Sequence, residues 1–155
     1  MPLTRIVSGG QTGVDRGALE AALERGFACG GWCPQGRTAE DGPIPERYPL
    51  AELPGAGYEG RTRRNVLDAD GTAVLYFGAL EGGTRQTVEY CVRRAKPHVL
   101  IDASTCTPER AAREIASFVA QGDVGVLNVA GPRASKWPGA HDYASATIRL
   151  LLQGK

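Results

Sequence analysis

The chain has 155 residues, a formal net charge of +1, 42% hydrophobic and 23% charged residues. That describes one globular domain, residues 1–155, and excludes the basic excess of a protein built to grip nucleic acid. No apolar run approaches the ~20 residues of a membrane span, and Met1 to Val7 carries no charged-then-apolar export signal. The expected setting is the cytoplasm, without membrane contact and with nucleic acid not an expected partner.

In chain order, Arg5 to Ser8 reads as a short strand entering Gly9-Gly10. Val14, Ala18, Leu19, Ala22 and Leu23 recur at helical spacing, and Gly26 ends that helix as a left-handed cap. Phe27 to Trp32 reads as a second strand. The stretch 34–57 holds Pro34, Pro43, Pro45, Pro49 and Pro54 and is expected to be a long loop. Helices follow at Glu59 to Asp68, Thr84 to Ala95, Pro108 to Gln121 and Tyr143 to Leu152. Strands are expected at Thr72 to Phe77, His98 to Asp102 and Val124 to Val129. Thr107 is placed as an N-cap with Pro108 at the first helical position.

Strands alternating with helices define an α/β domain: a Rossmann-like three-layer sandwich around a mostly parallel sheet. Ligands of such folds bind beyond the carboxyl ends of the strands. The loops after Ser8, Phe77 and Val129 are therefore the ones to read.

The first loop offers Gly9, Gly10, Gln11, Thr12, Gly13 and Asp15. Glycines allow a tight turn and close approach to backbone amides, and the following helix N-terminus attracts an anion. The plain alternative is a capped helix with no ligand. The second loop repeats the arrangement with Gly82, Gly83 and Thr84. The third offers Asn128, Arg133 and Ser135, with a solvated turn as its alternative. Arg61 and Arg64 share a helix face, and one arginine of that helix is expected at the site. The first loop is not Gly-x-Gly-x-x-Gly, no Gly-Lys-Ser/Thr follows it, and no Gly-x-Ser-x-Gly elbow supports a nucleophile. Cys29, Cys33, Cys91 and Cys106 lack zinc-site spacing, so no metal site is assigned.

The set Gly9-Gly10-Gln11-Thr12-Gly13-Val14-Asp15-Arg16, Gly60 to Val66, Asp70-Gly71-Thr72, Gly82-Gly83-Thr84 and Asn128 to Arg133 resembles the molybdenum carrier proteins of the SLOG superfamily. The resemblance covers nearly the whole chain, in the same order. It implies an oligomeric carrier of molybdenum cofactor, a pterin with a dithiolene and a terminal phosphate.

A more distant resemblance is to the cytokinin-activating phosphoribohydrolases, formerly labelled lysine-decarboxylase-like. Their Pro-Gly-Gly-x-Gly-Thr-x-x-Glu motif sets its threonine on Thr84, and their arginine falls on Arg61. Their glutamate falls on Thr87, so the catalytic acid is not there.

The reading is a non-catalytic carrier or sensor of a phosphate-bearing small molecule, either molybdenum cofactor or a nucleotide. The alternative is a phosphoribohydrolase-like enzyme using Asp15 or Glu81. A homo-oligomer is expected, from the resemblance and from Ile148, Leu150, Leu151 and Leu152 crowding the last helix.

Overall fold

A computed structural model describes residues 2–155; Met1, where the reading of the N-terminal segment begins, lies outside the described residues. Strands β1 (Arg5–Val7), β2 (Cys29–Gly30), β7 (Gly71–Tyr76), β8 (His98–Asp102) and β9 (Val126–Ala130) form the central sheet. Its order is β2-β1-β9-β7-β8, and every pairing is parallel. Strands buried on both faces carry unbroken apolar runs. Within β7, Ala73, Val74 and Leu75 are fully buried, as are Leu127 and Val129 of β9.

Helices α1 (Val14–Glu24), α4 (Pro108–Gly122) and α5 (Ala140–Leu151) cover one face, and α2 (Tyr58–Asp68) and α3 (Gly82–Arg93) pack together on the other. Small residues set the spacing on the first face. Gly17 lies so close to α5 that a side chain there would begin 2.4 Å from the His141 carbonyl oxygen. Ala18, Ala21, Ala140 and Ala144 complete that seam. Around it Ile6, Ile115, Leu127 and Ile148 are buried, each contributing roughly 1.5–3 kcal/mol of transfer free energy.

Two sequence readings are corrected here. The expected strand from Phe27 to Trp32 is broken at Gly31, whose φ of +127° places its Cα against the backbone of Ser8. Beyond that kink β3 (Trp32–Pro34) leaves the sheet and pairs with β6 (Ala51–Leu53). The proline-rich stretch is therefore structured. It also contains the β4 (Thr38–Ala39) and β5 (Gly42–Pro43) hairpin. Its ends are tied by Arg37, whose guanidinium donates to the carbonyls of Ile44, Pro45, Tyr48 and Leu50. The module docks on α1 through Leu19, Cys33, Ile44 and Tyr48 and through a two-pronged Arg16–Asp41 ion pair at 2.6 and 2.8 Å.

The second correction concerns the last helix. Ile148, Leu151 and Leu152 close the core of the single chain, where α5 lies between α1 and α4. Of the four, only Leu150 is exposed, at 36%.

Candidate ligand site

Along the sheet the chain runs from β1 outward to β2, and from β7 outward in the opposite direction to β8. That reversal opens a crevice at the carboxyl ends of the central strands. A cavity of about 400 Å³ occupies it. The loops after β1, β7 and β9 all reach it, together with the start of α2.

The second glycine loop contributes an open helix end. Residues Gly82 and Gly83 begin α3, no side chain caps it, and the backbone amides of Gly82, Gly83 and Thr84 have no hydrogen-bond partner among the described residues. Open space lies where a side chain at either glycine would project. Unpaired amides at a helix N-terminus are an anion-binding arrangement. Thr87, one turn in, is buried, and its hydroxyl donates to the Gly83 carbonyl at 2.9 Å.

The first glycine loop is closed by the protein itself. The Val14 amide donates to the Pro132 carbonyl at 3.1 Å, and the Thr12 amide to Gln11 Oε1. The amides of Gln11 and Gly9 face the carboxylate of Asp15. Thus the anion held by this loop is Asp15, whose buried side chain lines the cavity. Desolvation raises its pKa to about 6 against the opposing pull of Arg61, 3.6 Å away, and of the two amides.

Arg61 reaches in from α2. It lies over Gly9, 5.8 Å from the Tyr58 ring centroid, and Nη1 donates to Thr62 Oγ1. Its Nε is buried without a partner. A buried donor without an acceptor costs stability. Opposite stands an aromatic wall: Phe77 and Trp137 stack with centroids 4.7 Å apart at 17°, and Tyr143 meets Phe77 edge-on.

Of the residues selected from sequence, Gln11, Asp15, Arg61, Gly82, Gly83, Thr84 and Arg133 line the cavity. The others lie elsewhere. Gly9 is beneath Arg61, and Gly10 and Gly13 take φ of +80° and +83° to turn the loop against Leu50 and Pro132. Thr12 and Ser135 are held by Glu40, which accepts from both hydroxyls and pairs with Arg133 at 3.5 Å. Asn128 is buried in the sheet and donates to Thr72 Oγ1. It is a core residue, because β9 is a central strand. Arg64 turns away to Asp68. Sequence reasoning missed Tyr58, Phe77, Trp137 and Glu40. Phe77 was legible as the residue ending an apolar strand, whereas Glu40 had no local signal.

Parallel sheet, switch-point crevice and an open helix end define a Rossmann-like α/β domain with a ligand-sized cavity. A family model described as the circularly permuted YpsA SLOG family matches residues 6–152. The chain belongs to that family. A crystal structure described as "Putative molybdenum carrier protein" from Syntrophus aciditrophicus SB superposes with a TM-score of 0.93 at 42% sequence identity. The match covers 97% of this chain and 95% of that one. No curated protein matches the chain.

Proposed function

We propose that the cavity binds a planar heterocycle bearing a phosphate, and that the protein acts as a non-catalytic carrier or sensor of it. The carrying observation is the open end of α3, whose three unpartnered amides face a cavity that Arg61 also lines. The phosphate sits on Gly82, Gly83 and Thr84 with Arg61 beside it, and the ring lies along Phe77 and Trp137. Molybdenum cofactor, as cargo, is the first candidate, because the similar crystal structure is described as a molybdenum carrier and a pterin phosphate has this shape and charge. A nucleoside monophosphate is the second. The protein works as a homo-oligomer in the cytoplasm. No helix among the described residues is long and apolar enough to cross a membrane.

One observation favours an enzyme as the second reading. Asp15 is buried in the cavity and titrates near 6, which suits a general acid or base. The position where the hydrolase relatives carry glutamate is Thr87, already bonded to Gly83.

Calorimetric titration with guanosine monophosphate and a pterin monophosphate tests the proposal. Gly83 has room for a side chain and φ outside the left-handed region, so Gly83→Val folds but screens the amides. Loss of binding about tenfold or more is expected. Parent-like affinity in that variant overturns the phosphate position. Release of free base from the nucleotide, abolished by Asp15→Asn, promotes the enzyme.

A further inference from the structure

We infer that a second anion-binding subsite lies between α2 and α3, so that the ligand carries a second anionic group some distance from the first. A separate cavity of about 240 Å³ is lined by Arg63 of α2 and by Arg93 and Arg94 at the end of α3, with Glu59, Gln86, Glu89 and Tyr90. Glu59 and Gln86 also line the main cavity, so the two adjoin. Both helices stand antiparallel to β7 on the same face and therefore run side by side, with their N-termini at the main site. The groove follows them away from it.

The chemistry of the second cavity is that of an incomplete ion-pair cluster. Among the described residues, none of the three arginines makes an ion pair, although Arg16, Arg47, Arg61, Arg64, Arg110, Arg133 and Arg149 each do. Arg63 and Arg93 lie 5.5 and 5.9 Å from the Tyr90 ring centroid, which holds both near one place. Glu59 accepts from the Tyr90 hydroxyl at 2.9 Å and is thereby drawn to the tyrosine. Three guanidinium forks against two glutamates, one of them already held by the Tyr90 hydroxyl, leave an excess of positive charge that matches phosphate oxygens.

Distance fixes the class of ligand. From Gly83 to Tyr90 the α3 axis rises about 10 Å at 1.5 Å per residue. A single phosphate cannot span that, whereas a short polyphosphate or a diphosphate-linked second moiety can. The inference rests on the main cavity's reading as a phosphate-ligand site, since it assigns the far end of the same ligand.

Inorganic tripolyphosphate probes the subsite, and guanosine monophosphate probes the main cavity. Both are titrated at ~0.15 M salt, where exposed charges are screened beyond about 8 Å. The protein variants are the full chain, Arg63→Ser/Arg93→Ser/Arg94→Ser, and the control Arg25→Ser/Arg113→Ser, all verified as folded by circular dichroism. Tripolyphosphate is expected to bind and to weaken about tenfold or more in the triple variant alone, with guanosine monophosphate unchanged. Absent tripolyphosphate binding, equal affinity in the triple variant, or equal loss in the control overturns the subsite. So does single-stranded RNA binding that needs the three arginines and resists tripolyphosphate competition. Arginine-dependent tripolyphosphate binding without any monophosphate binding would leave the subsite standing and refute the main-cavity reading.

Discussion

Arg61 lies directly on the backbone of Gly9: a methyl group added there would begin 2.4 Å from Arg61 Nη1. The glycine's backbone would accept alanine, since its φ lies outside the left-handed region. What alanine removes is the resting place of the guanidinium. Gly9→Ala is expected to displace Arg61 and to weaken monophosphate binding about as much as Arg61→Ala, roughly 1.5–3 kcal/mol. The double variant should lose little more than either single one, because both remove the same contact. Additive losses in calorimetry would show that Gly9 acts some other way.

Asp15 makes stability depend on pH in an unusual direction for a carboxylate. Burial lifts it from 3.8 to about 6, so between those values the folded chain binds more protons than the unfolded one. Stability from this group is full below 3.8 and is lost as pH rises through 6. At 1.36 kcal/mol per pKa unit the loss is roughly 3 kcal/mol. Asp15→Asn removes the titration. In urea unfolding at pH 4, 5, 6 and 7, wild type relative to Asp15→Asn should fall progressively. A constant difference across that range would exclude this role for Asp15.

Arg37 serves four carbonyls from one guanidinium, at 2.8 to 3.2 Å. Arg37→Ala leaves those acceptors to find water, and the 35–57 module should loosen while the central sheet persists. A cost of about 3 kcal/mol is expected. Trypsin should then cut after Arg47 at a rate many times that of the parent. Arg37→Lys keeps the charge but not the fork and should rescue little. Unchanged proteolysis would mean the apolar docking of Ile44 and Tyr48 alone holds the module.

The α/β alternation was legible because strand and helix periods are local. Thr107 and Pro108 mark the start of α4, and the Thr107 hydroxyl does accept from the Arg110 amide. What stayed hidden depends on partners far along the chain. Gly31 breaks its strand because Ser8 lies against it, and the proline-rich stretch is ordered because Arg37 finds carbonyls up to Leu50. The site was half legible for the same reason. An open cradle and one already filled by an internal carboxylate read alike, since Gly9-Gly10 and Gly82-Gly83 differ only in what approaches them. Phe77 and Trp137 form one wall from separate loops.

The position of β9 governs the order in which the molecule can be completed. Its neighbours are β1 on one side and β7 on the other, so the strand made last joins the strand made first to the middle of the chain. During synthesis the β2-β1 pair and the β7-β8 pair remain separate ribbons, each with an unpaired edge facing the gap. Only when Val126–Ala130 emerges from the ribosome can the gap close, and the Val14 amide cannot meet the Pro132 carbonyl before then. Long-range parallel pairing of this kind is slow, and its waiting edges invite aggregation. A nascent chain stalled before residue 126 is thus a pair of unmatched sheet halves, exposed to chaperones and proteases, with neither the crevice nor its ligand to hold them together.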